Sequence, residues 1–119
     1  MKISRTSFRI ACALTLFLTG VTVVIAQATN ASGTITRLAT GWNYDQIYIE
    51  TTAPVINPAM CPNPSGYASN KDVPGFKTHY QAAMLAFSLD KPVIVVVSST
   101  LNDCVAGFPK IWGIDVRKQ

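Results

Sequence analysis

Apolar positions along this chain fall into four patterns, and each calls for a different structure. The first is a run free of charged residues from Ile10 to Ala26, carried by Leu14, Leu16, Phe17, Leu18, Val21, Val23, Val24 and Ile25. The second is short alternation. Thr34, Ile35, Thr36 and Leu38 are β-formers that lead into Gly41-Trp42-Asn43-Tyr44-Asp45, a stretch of turn residues. Gln46 to Thr51 then alternates, with Ile47 and Ile49 on one face and Gln46, Tyr48 and Glu50 on the other. Two such runs around a short polar connection predict a β-hairpin.

The third pattern is helical. Phe76, Tyr80, Ala83, Met84 and Phe87 recur at i, i+4, i+7, i+8 and i+11, after the breaker Asp72-Val73-Pro74-Gly75 and before Asp90-Lys91-Pro92. Ala82, Leu85, Ala86 and Leu89 form a second apolar face, and no charged side chain occurs from His79 to Leu89. One apolar face serves the domain's own core. A second face on so small a domain predicts self-association. His79, beside Lys77 on the least apolar part of this helix, reads as a solvated residue. The fourth pattern is the unbroken Val93-Ile94-Val95-Val96-Val97, whose β-branched residues predict a central strand buried on both faces.

The remaining segments complete the order. Pro54, Pro58, Pro62 and Pro64 exclude a long central strand between Ala53 and Pro64. A short third strand falls at Asn57–Cys61 or at Ser65–Ser69. Pro109 to Val116 sets Trp112, Ile114 and Val116 against Lys110 and Asp115 and reads as the last strand. The expected fold is α+β, mainly β with one helix. Its order β-β-β-α-β-β is that of a small five-stranded OB-like barrel.

Charge changes the picture of the N-terminus. Lys2, Arg5 and Arg9 precede the Ile10–Ala26 run, and Ala26-Gln27-Ala28 follows it with small residues at two alternate positions. This is the layout of an export signal. At 17 residues the run sits at the lower edge of a membrane span, and no basic cluster follows it. The reading is a cleaved signal peptide over 1–28, with Ala26 as the alternative cleavage position. It leaves a single domain over 29–119, periplasmic or secreted, with no membrane span. The formal charge of +4 then falls to +1, because three of the ten basic residues leave with the signal. No basic stripe remains, which argues against nucleic acid as a partner.

Export also bears on the cysteines. Cys12 leaves with the signal, and Cys61 and Cys104 have one intramolecular pairing. A metal site or a nucleophilic thiol would need His or acidic companions, and the chain has one His, His79. A disulfide is therefore expected. No Ser/His/Asp order, paired Glu, His-rich metal motif or Gly-rich phosphate loop is present, so neither enzymatic activity nor a metal or cofactor is expected. Asn30-Ala31-Ser32 has the form of a glycosylation sequon. The Trp42-Asn43-Tyr44-Asp45 turn combines aromatic rings with an amide and a carboxylate. Sugar C–H faces pack on aromatic rings while such polar groups fix the hydroxyls. These four residues are the candidate glycan contacts, with Tyr67 a weaker one.

Several segments resemble the binding subunits of AB5 toxins, nearest to the B subunit of subtilase cytotoxin. They are Gly33-Thr-Ile-Thr-Arg-Leu38, Gln46-Ile-Tyr-Ile-Glu-Thr51, Cys61, Phe76-Lys-Thr-His-Tyr-Gln-Ala-Ala-Met-Leu-Ala86 and Lys91-Pro-Val-Ile-Val-Val-Val97. The resemblance covers about residues 33–98. It implies an OB-fold barrel, a ring pentamer around a pore lined by the helices, sialylated glycans as ligands, and an exported A-type partner. It also implies a glycan-contacting serine just before the first strand of the barrel, where Ser32 stands. The chain departs from those subunits at the second strand, which holds Ile47, Tyr48 and Ile49 in place of a cysteine.

Overall fold

The computed structural model describes residues 27–41 and 44–119. Eight strands and one helix follow in order: β1 (Gln27–Thr29), β2 (Gly33–Thr40), β3 (Gln46–Thr51), β4 (Tyr67–Asn70), α1 (Phe76–Ser88), β5 (Pro92–Ser98), β6 (Cys104–Val105), β7 (Phe108–Pro109) and β8 (Ile111–Val116). The chain is α+β, mostly β with one helix and antiparallel sheets. The expected order is present, with a short leading strand and a small β6–β7 hairpin added to it. The third strand, β4, overlaps the Ser65–Ser69 alternative.

One six-stranded sheet runs β1-β5-β2-β3-β4, with β8 on the other edge of β5. Strand β2 serves two neighbours. Its first residues, Gly33 and Thr34, pair with β5, and from Ile35 onward it pairs with β3, across a register shift between Ile35 and Arg37. Gly33 is required at this bend, because a Cβ there would lie 2.7 Å from Thr52 Oγ1 and 2.8 Å from the Ala53 backbone nitrogen. Strand β4 meets the segment before β8 through a single parallel bridge, Ala68 to Lys110. Regular pairing does not close the sheet into a barrel.

The core is built from Ile35, Ile47, Ile49, Tyr67, Val93, Val95, Val97 and Ile111, with Ala83 and Ala86 of the helix against them. Each fully buried Val or Ile contributes about 1.5–3 kcal/mol. Val93, Val95 and Val97 are fully enclosed, while Ile94 and Val96 are half-buried, as expected for a strand covered on both sides. Tyr48 corrects the simple alternation of β3. It points away from the Ile47–Ile49 face and is still buried, its ring 4.8 Å from that of Phe108. The Cys61–Cys104 disulfide is formed and joins the proline-rich segment to β6.

Two face assignments differ from the sequence pattern. On α1 the buried residues are His79, Ala83 and Ala86, with Phe76 also packed on the core. Tyr80, Met84, Leu85, Phe87 and Leu89 are exposed. The helix lies on β2 and β8 through small side chains, and that close approach turns its large residues outward. His79 is thus buried, not solvated. On β8, Trp112 is exposed and Ile111 is buried. The register shift between Val96 and Val97 on the β5–β8 pair moves the alternation by one residue there.

The expected cleavage position after Ala28 falls within β1, and Ala28 packs against the core. The rest of the expected signal, residues 1–26, lies outside the described residues. No described helix is long and apolar enough to cross a membrane.

Candidate functional site

The segment from Asp72 to Phe76, which links β4 to α1, is flanked by three clefts that share lining residues. Tyr44 and Asp45, just before β3, pack on one side of it. The Lys71 N–H donates to the Asp45 carbonyl at 2.9 Å, and the pairing of Gln46 with Asn70 continues the contact. The Tyr44 hydroxyl donates to the Asp72 carboxylate, and the Lys71 ammonium sits 4.9 Å from the Tyr44 ring centroid. The hydrogen bond to Asp72 is the main cause that raises the Tyr44 phenol above its ordinary value. The ring is therefore held by its edge and one face while remaining 40% exposed.

Tyr44 and Asp45 border a cleft of about 310 Å³ whose walls include Gln46, Phe76 and Tyr80. That size is at the lower end of ordinary ligand sites, about 300–1,000 Å³. Asp45 and Phe76 also border a second cleft that runs past Lys71 and Lys77 to Pro74. Trp42 and Asn43, the other two expected contacts, lie outside the described residues. Ser32 is exposed and precedes β2, whereas the turn follows the far end of that strand, roughly 23 Å of extended chain away. Ser32 and the turn are not brought together. Tyr67 is fully buried, and its hydroxyl accepts the Ile56 N–H at 3.0 Å, so it belongs to the core.

A third cleft, of about 300 Å³, lies across Val73 and Pro74 and is walled by Lys110 and Trp112. Asp103 organises this wall. Its carboxylate accepts the Ser98 hydroxyl at 2.6 Å and the Lys110 ammonium at 2.9 Å. The Ser98 bond is the largest cause that holds the Asp103 carboxyl below its ordinary value. Lys110 and the Trp112 side chain add to it, and partial burial opposes them. Lys110 and Trp112 are thus held in place before any ligand arrives, and the Asp103–Lys110 pair is neutral overall. The sequence pattern missed this wall because Trp112 belongs to the inward set of a regular strand. The adjacency of Asp103 to Cys104 is the one signal that a fixed loop would carry it.

Below this wall, His79 Nε2 lies 3.1 Å from the Trp112 carbonyl and Nδ1 lies 3.1 Å from Ser69 Oγ. A carbonyl only accepts, so Nε2 carries the proton and Nδ1 accepts from Ser69. Ser69 is fully buried, and the Nε2 proton is committed to the backbone. This pair ties α1 to β4 and β8 and is sealed from any substrate. The Asn30 amide nitrogen is likewise enclosed, so the sequon offers no exposed attachment point on the folded chain. Among the described residues no group of three or more His, Cys, Asp or Glu is arranged to hold a metal.

No family model, no curated protein and no solved structure matches this chain.

Proposed function

We propose that this protein is an exported, non-enzymatic binding module that recognises a glycan at the clefts around the β4–α1 link. The observation that carries the reading is the cleft bordered by Tyr44 and Asp45. It combines the partly exposed rings of Tyr44 and Tyr80 with the carboxylate and amide of Asp45 and Gln46. Those are the groups that pack on sugar C–H faces and fix sugar hydroxyls. The second cleft continues this surface to Pro74, and Trp112 stands across it, so the surface suits more than one sugar ring. Export is supported by the charge and apolar pattern of the first 28 residues and is consistent with the disulfide.

The fold we assign is an OB-like barrel. Its support is the adjacency of β2 to β3, β3 to β4, β5 to β8 and β5 to β2, together with the lone parallel bridge between Ala68 and Lys110. The outward Met84, Leu85, Phe87 and Leu89 favour assembly through α1. The assembly is a ring of five, with an exported A-type partner, if it follows the toxin subunits that the chain resembles. Glycan-array binding by the exported protein tests the reading. Loss of that binding in Asp45→Ala, with the fold intact, tests the site.

A second reading keeps the fold and the assembly and assigns no sugar. It makes the protein a structural or partner-binding component of the envelope, and the apolar outer face of α1 favours it. An array with no signal, from a protein that still self-associates, would put this reading first.

A further inference from the structure

The chain from Gln27 to Thr34 runs antiparallel along one edge of β5. Gln27, Ala28 and Thr29 face Ser98, Val97 and Val96, and further on Gly33 and Thr34 face Val93 and Pro92. Asn30 clips the middle of this edge. Its backbone N–H donates to the Val95 carbonyl at 3.1 Å, and its side-chain Oδ1 accepts the Val95 N–H at 2.8 Å. Both backbone polar groups of Val95 therefore point toward this edge. Alternation along an antiparallel strand points those of Val97 the same way, and there the partner is Ala28. Ser98 points to the other edge, where its N–H donates to the Lys110 carbonyl at 3.0 Å.

This geometry separates the two cleavage positions that the sequence allows. Val97 is fully buried, and Ala28 packs on the core beside it. A chain beginning at Thr29 would lose the pairing of Ala28 with Val97 and the packing of Ala28 on the core, both of which stabilise the fold. A chain beginning at Gln27 keeps β1 whole. Both cuts have compact uncharged residues before them: Ala26 and Ala28 for the later, Val24 and Ala26 for the earlier.

We infer that the exported chain is cut between Ala26 and Gln27, making Gln27 the mature N-terminus. This rests on the export reading given above. In the cut, water adds across the Ala26–Gln27 amide, leaving a carboxylate on Ala26 and an amine on Gln27. That amine is then free to attack the side-chain amide carbon of Gln27. A new C–N bond forms, the old one breaks, and ammonia leaves. The resulting pyroglutamyl ring is neutral, so β1 ends without a terminal charge. No oxidant or further reactant is needed.

The test is the intact mass and N-terminal peptide of the full-length chain, expressed with export and recovered in its disulfide-linked form. The expected product begins at Gln27, or at the ring form lighter by one ammonia. A product beginning at Thr29 overturns the cleavage position and leaves export standing. A product that keeps the whole segment from Met1 overturns both. Ala28→Leu gives a second reading. It places a bulky residue directly before the later cut but inside the mature chain for the earlier one, so processing should be unchanged. Accumulation of the uncut chain in Ala28→Leu contradicts the inference.

Discussion

His79 donates from Nε2 to the Trp112 carbonyl at 3.1 Å, and this contact joins the inner face of α1 to the strand whose indole walls a cleft. Its other nitrogen accepts from the buried Ser69 hydroxyl. The neutral imidazole satisfies both partners, and the Ser69 hydroxyl can turn to accept from a charged ring, so burial is what disfavours the charge.

Stability should therefore fall with mild acid. Burial is the main cause that lowers the His79 pKa, and the bond to Trp112 opposes it. The unfolded chain takes up its proton near the ordinary value of 6.5, and the folded chain only at lower pH. Between those values the unfolded state holds more protons, so stability rises with pH. The contribution is complete above about pH 6.5 and is lost as pH falls through the folded value. Thermal melts at about pH 7.5 and about pH 5.5 should show a drop in Tm that His79→Gln reduces. Equal drops in the two proteins would remove His79 from the account.

Small residues on the inner face of α1 set its distance from the sheet. Ala86 is fully buried, and Ala86→Leu should destabilise the fold by about 1–3 kcal/mol through overpacking. Denaturant unfolding measures this directly. An unchanged midpoint would mean that the helix sits further from β2 and β8 than its contacts indicate.

The outer face of α1 should govern assembly. Leu85 and Leu89 are 54% and 57% exposed, so Leu85→Asp with Leu89→Asp should leave the circular dichroism spectrum unchanged. Light scattering should then move from a multimer, near five monomer masses for a toxin-like ring, to one monomer. A wild-type protein that is already a monomer would exclude this face as a self-contact.

The disulfide should matter more to stability than to local chemistry. Cys61 and Cys104 are 43 residues apart, and the loop-closure model assigns such a bridge about 4 kcal/mol. Reduction should lower the unfolding midpoint accordingly. It should also loosen the loop that carries Asp103, which a change in Trp112 fluorescence would report.

The legible parts of this fold were those with an unbroken local period. Gln46 to Thr51 announces β3 at its true bounds, and the Val93–Val97 run announces β5 to within a residue at either end. The two cysteines announce their bridge by elimination. What the pattern could not carry was phase. Tyr80, Met84 and Phe87 share a helical face with one another, and nothing local says that alanines would be preferred at the sheet. The register shift in the β5–β8 pair reverses Trp112 in the same way. In the candidate site, Tyr44 and Asp45 were legible as a turn. Lys71, Asp72, Asp103 and Lys110 reach it only through tertiary contacts.

Glycan binding at the β2–β3 turn is the central claim, and an array read with three proteins tests it most directly. The wild-type exported protein should bind a defined set of glycans. Trp112→Ala should weaken the longer ones by about tenfold, the loss of one stacking contact. Asp45→Ala should abolish binding of all of them while the melting curve is retained. Wild-type protein that is folded, disulfide-linked and self-associated yet silent on the array would contradict the claim.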